Sequence, residues 1–474
     1  MTAAEGSVPM KDLTQGPIGR HVVATAVPIA IGMLFQTLYL LVDLYFVSPL
    51  GDAAIAGVST ASTATFVTLA LTQMLGVGTV ALVSHAVGRK DRAGANLIFN
   101  QSVLLSAVCG GLTLAAGWLL SGAYVRSIAA DPAAAAAGTA YLYWYTPGLA
   151  LQFAIVAMGS GLRGTGIVQP TMVVQMLTVI VNIVLAPVLI SGWGTHHPFG
   201  TAGAGLASSL AIAFGVVLLS GYFARLEHYV ALDPRLWRPR WALIGRLLNV
   251  GLPAGGEFLM MFVILGVVYW VIRAFGPAAQ AGFGIGSRVM QAMFLPVMAV
   301  AFAVAPVAGQ NFGARQYARV RATFRFAAIL SSVLMLAVTL LCQWRPEWFI
   351  HVFTDQADVV AVGAPYLRII SWNFVATGLI FSCSGTFQAL GNTWPSLLSS
   401  ASRLLTFVVP AVLLSHGPHF TLVQVWYLSV ATVALQALTS LALLAREFAR
   451  RLDTAPAVIA GAGNRATVAE SDGG

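Results

Sequence analysis

Two carboxylic acids stand inside long apolar stretches of this 474-residue chain. Asp43 lies within residues 22–47 and Glu257 within residues 243–272, and the other acidic residues of the sixteen fall outside such stretches. A carboxylate moved from water into an apolar interior loses its hydration, so it takes up a proton or holds a cation with the help of other oxygens. The chemistry predicted for these two acids is therefore reversible binding of H⁺ or Na⁺.

The composition indicates which elements hold these acids. Hydrophobic residues make up 58% of the chain and charged residues only 9%, whereas a soluble domain carries about 25%. Residues 164–224 include 61 positions without one Lys, Arg, Asp or Glu. These values exclude water-soluble, disordered and disulfide-scaffold proteins, and they indicate a helical membrane protein.

Twelve apolar segments approach or exceed the ~20 residues that cross a bilayer core. They cover residues 22–47, 53–83, 97–120, 138–162, 168–190, 200–224, 243–272, 278–308, 323–344, 363–390, 396–415 and 421–445. We therefore expect an all-α membrane protein with twelve transmembrane helices. Its expected parts are an N-terminal segment (1–20), a six-helix bundle (21–226), a linker (227–242), a second six-helix bundle (243–450) and a disordered tail (451–474).

The basic residues indicate the orientation of the chain. Nineteen Lys and Arg fall on the side of the termini and three on the opposite side, so the positive-inside rule predicts two cytoplasmic termini in a multi-pass plasma (inner) membrane protein. The net charge of +9 comes from residues in short gaps between spans, so a nucleic-acid partner is not expected. We expect a monomer in the lipid bilayer.

The chain contains an internal repeat with an offset of 225 residues. This offset relates Pro28 to Pro253, Gly51 to Gly276, Gly88 to Gly313, Tyr141 to Tyr366, Gly166 to Gly391 and Pro170 to Pro395. Each half has six spans, an even number, so both halves share one orientation. They are predicted to be related by a pseudo-twofold axis along the membrane normal, with a cleft between two bundles that can rock.

The repeated blocks resemble the multidrug and toxic compound extrusion (MATE) family of antiporters. The resemblance covers roughly residues 15–450 and is carried by Pro28, Gln36 and Asp43, by Leu50–Gly57, by Ser84–Asp91 and Gly309–Arg315, and by Gly161–Gly166 and Gln388–Thr393. It implies two bundles forming a V and efflux of organic cations in exchange for H⁺ or Na⁺ by alternating access.

The same resemblance implies a cation-coupling site in the first bundle. Its residues here are Tyr39, Asp43, Asn182 and Ser208, with Pro28 as a bend point in the first helix. For Asp43 and Asn182, ordinary structural hydrogen bonds are the alternative interpretation. Many family members have Asp four residues after this Asn, whereas this chain has Ala186. One carboxylate among neutral neighbours favours H⁺ over Na⁺; Na⁺, if used, would be held at Asp43 and Asn182.

Helical spacing adds two further candidates. Gln36, Tyr39 and Asp43 follow i, i+3, i+7 spacing and so share one helix face. Glu257 follows Pro253 by one turn and is predicted to bind either the substrate's positive charge or a second cation, as is Gln36. Some members carry Glu at the position of Met261, one turn away on the same face, and this chain has no acid in its tenth span.

Other functions find less support in the sequence. The eight histidines fall in loops or at span ends, so no metal site is predicted, and no nucleotide-binding motif or catalytic triad is present. We expect neither an enzyme nor a cofactor beyond the coupling ion. A flippase for a lipid-linked saccharide remains the alternative, although its pyrophosphate would need a basic cleft and only Arg288 and Arg403 lie deep in spans.

Overall fold

The computed structural model describes residues 11–129, 131–194, 196–227, 229–417 and 420–453. Within them the chain forms α-helices and short helical turns and no strand. The helices are α1 (Ile18–Val47), α2 (Asp52–Gly88), α3 (Arg92–Ile128), α4 (Pro132–Gly164), α5 (Gln169–Ser191), α6 (Gly200–Arg225), α7 (Trp241–Ile272), α8 (Pro277–Gly313), α9 (Tyr317–Trp344), α10 (Pro346–His351), α11 (Ala357–Ile370), α12 (Asn373–Leu390), α13 (Trp394–Ser415) and α14 (Leu422–Phe448).

The described helices include up to eleven candidate membrane spans. Ten are long and apolar enough to span a membrane by themselves, and α11 and α12 form one further span bent by 57°. Helix α4, with 33 residues, covers the fourth predicted span, residues 138–162. The predicted all-α fold with two six-helix bundles is confirmed. The predicted span over 363–390 is formed by α11 and α12 together, and the helix breaks at Ser371 and Trp372.

The structure repeats the sequence offset. The 225-residue shift relates the first residues of α2, α3, α4 and α5 to those of α8, α9, α11 and α13. It also relates three pairs of residues with positive φ, namely Gly51 and Gly276, Lys90 and Arg315, and Gly166 and Gly391. Because a positive φ is uncommon outside glycine, its recurrence at Lys90 and Arg315 shows that both halves use the same turn.

The two bundles pack together near the side where the described chain begins and ends, here called the termini side. Helix α1 packs against α8, and α2 against α7 and α8. Val22 and Ala26 of α1 share one apolar core with α8, and Val77 and Ala81 of α2 share another with α7.

The bundles part towards the opposite, far side. The rings of Phe66 in α2 and Phe262 in α7 still touch, with centroids 4.2 Å apart. Further out, Gly57 of α2 packs on α4 of its own bundle and Gly282 of α8 packs on α11. The far halves of the two bundles have separate apolar cores. A cleft between the bundles therefore opens on the far side.

The predicted linker and the chain ends have the following structure. The linker contains a short helical turn (Pro234–Leu236), and Gln101 of α3 donates to the carbonyl oxygens of Leu236 and Arg238. At the C-terminal end, Ala449–Asp453 form a π-helical turn. Residues 1–10 and 454–474, which include most of the predicted tail, lie outside the described residues.

A substitution at the bundle junction tests this packing. A Cβ atom at Gly88 would lie 2.0 Å from the backbone oxygen of Gln310 across the junction, whereas a Cβ at Gly111 of α3 meets nothing within 4 Å. We expect Gly88→Ala to destabilise the protein by about 1–3 kcal/mol and Gly111→Ala to be neutral or slightly stabilising. Melting temperatures in detergent measure the difference, and equal values would contradict the tight junction.

Candidate functional site

Asp43 of α1 lies inside the first bundle, with only 6% of the residue exposed. Its carboxylate accepts hydrogen bonds from the Tyr141 hydroxyl at 3.2 Å, from the Ser208 hydroxyl at 3.1 Å and from the Asn182 amide at 3.4 Å. These donors come from α4, α6 and α5. All three are neutral, so the carboxylate is hydrogen-bonded without a positive partner among them.

Small residues let the four helices come this close. A Cβ added at Gly205 of α6 would lie 2.3 Å from the backbone oxygen of Tyr141, so α4 and α6 nearly touch there. Ala204, Ala207 and Ala211 of α6 are fully buried on either side of Ser208. Close approach at small residues is a common way for membrane helices to pack. The packing places the Ser208 hydroxyl against Asp43.

Two oxygens beside Asp43 have no hydrogen-bond partner. They are the Tyr39 hydroxyl and Oδ1 of Asn182, and both are inaccessible to solvent. A buried polar atom left without a partner is unfavourable unless a water or an ion satisfies it. With the Asp43 carboxylate and the Ser208 hydroxyl, these atoms form a set of oxygens from four side chains. Such a set fits a proton on Asp43 or a small cation.

The structure brings together Tyr39, Asp43, Asn182 and Ser208 but not Gln36. The side chain of Gln36 is exposed on α1, whereas Asp43 is buried seven residues later. Pro28 is buried inside α1, which runs without a break from Ile18 to Val47. Sequence reasoning missed Tyr141 as a site residue, although the repeat had already marked it through Tyr366.

Glu257 of α7 occupies a polar cluster in the second bundle. Its Oε2 accepts hydrogen bonds from Ser396 of α13 at 2.7 Å and from Ser384 of α12 at 3.2 Å. The Gln388 amide donates to Ser384 at 3.5 Å. The two serines were not predicted; their signal was hydroxyl residues within charge-free helices.

The first bundle holds a neutral group at the corresponding place. The 225-residue offset relates Glu257 to Gly32, and a Cβ on Gly32 would lie 2.2 Å from Oε1 of Gln175. The Gln175 amide therefore fills the space that a side chain at position 32 would need. The two acids consequently lie at different heights, Glu257 near the middle of its helix and Asp43 near the far end of α1.

Crossed hydrogen bonds close the termini side. Nε2 of His85 in α2 lies 2.6 Å from the backbone oxygen of Ala389 in the second bundle. The Gln310 amide in α8 donates at 3.0 Å to the backbone oxygen of Gly164 in the first bundle. The donors are 225 residues apart and so are the acceptors. The same contact is thus made twice, once in each direction.

The N-terminal segment lies across this closure. The Leu13 side chain is fully buried, and its amide donates to Oε1 of Gln310 at 3.0 Å. The Asn311 amide donates back to the Leu13 oxygen at 3.1 Å. The N-terminal segment therefore adds hydrogen bonds to the closed junction on the termini side.

Two pseudo-equivalent helical bundles that are closed at one side, each with an acid bonded by neutral donors inside an apolar span, define a polytopic membrane transporter of the two-bundle type. The chain belongs to the MATE family. The MatE family model matches residues 28–188 and again 253–413, which are the two halves of the 225-residue repeat. The family resemblance of the sequence is confirmed, and members of this family are transporters rather than enzymes.

Named relatives and solved structures agree with this assignment. The chain is 28% identical to the probable multidrug resistance protein YpnP of Bacillus subtilis, over 80% of this chain and 84% of that protein. It is 24% identical to an FAD transporter of Shewanella oneidensis, over 85% and 89%. A structure described as the outward-facing conformation of a multidrug resistance MATE family transporter matches with a TM-score of 0.87 at 25% identity, covering 94% and 99% of the two chains.

A matched pair of tyrosine substitutions tests the Asp43 cluster. Tyr141 donates to Asp43, whereas Tyr145, one turn later and 5.3 Å away between ring centroids, has no hydrogen bond to it. A hydrogen bond to a charged group contributes about 1.5–3 kcal/mol. We expect Tyr141→Phe to lower the melting temperature at neutral pH more than Tyr145→Phe does. Equal losses would remove the Tyr141 bond from the account of this site.

Proposed function

We propose that this protein is a secondary active exporter of organic compounds that takes up H⁺, or Na⁺, in exchange. The observation that supports it most is the Asp43 cluster, a buried acid held by neutral donors in a bundle that packs against its twin at one side only. Binding of a cation removes the negative charge from the bundle interior. The charge state of Asp43 can thereby favour one tilt of the bundles over the other.

The distribution of basic residues supports the direction of transport. Nineteen Lys and Arg on the termini side support a cytoplasmic location of that side under the positive-inside rule. Both termini are then cytoplasmic, and the cleft opens to the outside of the plasma (inner) membrane. In this state Asp43 exchanges ions with the outside. Alternating access then returns the cleft to the cytoplasm to load substrate.

The energy available to one coupling acid is sufficient. A tenfold proton gradient is worth about 1.4 kcal/mol, which supports roughly tenfold expulsion of a monovalent compound in an electroneutral exchange. If net charge moves, the membrane potential adds about 2.3 kcal/mol per 100 mV. A single acid therefore meets the thermodynamic need.

The relatives support organic substrates. YpnP and the MepA proteins of Staphylococcus are named for multidrug resistance or export, which favours a transporter of several organic compounds, cations among them. Glu257 would contact the positive charge of such a compound or hold a second cation. We propose that the protein works as a monomer. The alternative, a flippase for lipid-linked saccharides, has less support, because a pyrophosphate would need a basic cleft and only Arg288 and Arg403 lie deep in the spans of this chain.

Substitution of Asp43 tests the coupling. In proteoliposomes with an outside-acid gradient, the wild type should export a fluorescent organic cation. Asp43→Asn should export it no faster than without a gradient, because an amide cannot exchange a proton in this range. Asp52→Asn, at an exposed acid in the first turn of α2, should leave export unchanged. Full gradient-driven export by Asp43→Asn would take Asp43 out of the mechanism.

The choice of ion is tested at Ala186, which is fully buried on α5 one turn after Asn182. An acid there would supply a second anionic oxygen ligand, which Na⁺ needs more than H⁺ does. We expect added Na⁺, compared with K⁺, to raise the melting temperature of Ala186→Asp but not that of the wild type or of the neutral isostere Ala186→Asn. Stabilisation of the wild type by Na⁺ would overturn the assignment to protons.

A further inference from the structure

A guanidinium group lies inside the second bundle. Arg403 is near the middle of α13, on the helix face that also carries Ser396 and Phe407. Nε of Arg403 is inaccessible to solvent and has no hydrogen-bond partner. The other two nitrogens form no hydrogen bond or ion pair with the residues that the structure describes, and they are not shut off from solvent.

Neither Asp43 nor Glu257 forms an ion pair with Arg403. The carboxylate of Asp43 is bonded within the first bundle, and that of Glu257 is bonded to Ser384 and Ser396. Arginine stays protonated in proteins. Its Nε–H is buried without an acceptor, so an anion that reaches the two accessible nitrogens would supply the missing acceptor and counter-charge.

Two tyrosine hydroxyls extend the same donor cluster. The rings of Tyr366 of α11 and Tyr269 of α7 both pack on Phe283, with centroids 5.3 Å and 4.9 Å away. Arg403 lies within electrostatic range of Tyr366. The Tyr366 hydroxyl has only the Met290 sulfur, at 3.8 Å, as a partner, and the Tyr269 hydroxyl has none among the described residues. None of these three groups has an oxygen acceptor among the described residues.

The repeat relates this cluster to the cation site. Tyr366 corresponds to Tyr141, the tyrosine that donates to Asp43. At the positions that correspond to Asp43 and Asn182, the second bundle has Val268 and Phe407. One half thus places an acid beside this tyrosine, whereas the other half places a guanidinium there. Arg403 itself corresponds to Thr178, so the second bundle has a positive charge where the first has a neutral hydroxyl.

We propose that Arg403 binds an anionic group, a carboxylate or phosphate, of the compound that the protein exports. The planar guanidinium pairs with such groups through two parallel hydrogen bonds, and the hydroxyls of Tyr366 and Tyr269 can donate to the same oxygens. This inference rests on the proposed export function and narrows its substrate class.

Glu257 makes the preferred compound a zwitterion. Ser396, which donates to Glu257, precedes Arg403 by seven residues on α13, a rise of about 10 Å. A compound with a positive group near Glu257 and a negative group at Arg403 satisfies both side chains.

Two rhodamine dyes that differ in one group test the assignment, one a free carboxylic acid and the other its methyl ester. Their affinities for the purified full-length protein are measured by fluorescence anisotropy. We expect the acid to bind at least about tenfold more tightly than the ester, because only the carboxylate can accept charge-assisted hydrogen bonds from the guanidinium. The preference should vanish in Arg403→Gln and be partly kept in Arg403→Lys, which retains the charge but not the paired donors.

The control is Arg345→Gln, at an exposed arginine that lies over the Trp348 ring; it should keep the wild-type preference. Equal affinity of the wild type for acid and ester would overturn the proposal. So would a preference that survives in Arg403→Gln. If inorganic phosphate raises the melting temperature of the wild type but not of Arg403→Gln while the dyes bind equally, the site takes a free anion and the substrate assignment is wrong.

Export assays separate this inference from the proposed function. Failure of the wild type to export either dye against a gradient counts against export itself. Export of both dyes, with equal KM values that Arg403→Gln leaves unchanged, counts against the anion site alone. A loss of folding in Arg403→Gln would appear in its melting curve, and Arg403→Lys then carries the comparison of acid with ester.

Discussion

The proposed transport mechanism depends on the hydrogen bonds that neutral donors make to Asp43. Three donors stabilise the carboxylate in an interior where a bare charge would be unfavourable. None of them cancels its charge, as a buried arginine would. The hydrogen bonds therefore stabilise the carboxylate inside the bundle but leave its negative charge, which a proton or a cation can neutralise.

The two halves of the chain share one backbone arrangement, and they differ in the polar and charged side chains at equivalent positions. Helix starts and left-handed turns recur with one offset, so the backbone is shared. At the offset positions, Asp43 is replaced by Val268, Asn182 by Phe407 and Gly32 by Glu257. The two halves consequently offer an acid near the far side, and an acid and a guanidinium deeper in the second bundle. A symmetric scaffold thereby carries an asymmetric set of charges.

Most of the fold could be predicted from the sequence, because long apolar spans and a fixed repeat offset are properties of the chain itself. The break between α11 and α12 could not, since residues 363–390 form one apolar run. At the site, spacing placed Tyr39, Asp43 and Gln36 on one face of α1. It could not tell at which height a neighbouring helix covers that face, and Gln36 is left exposed.

The spacing of residues along one helix does not reveal which residues of other helices contact it. Asn182 and Ser208 came from the family resemblance, whereas Tyr141, Ser384 and Ser396 became visible only when the helices were packed. Each of these residues is ordinary in its own helix. They form part of a site because another helix places an acid, Asp43 or Glu257, within hydrogen-bonding distance of them.

The crossed hydrogen bonds on the termini side are modest in energy compared with the proposed ion exchange. Two crossed hydrogen bonds, from His85 and from Gln310, contribute about 1–3 kcal/mol together at the ordinary net value. The small-residue packing beside them stabilises the closed state further, but inside a membrane it gains little from the hydrophobic effect. One proton moving down a tenfold gradient and a 100 mV potential releases a similar amount, about 3.7 kcal/mol. Under the proposed exchange, one coupling proton therefore supplies an energy comparable to that of these two hydrogen bonds.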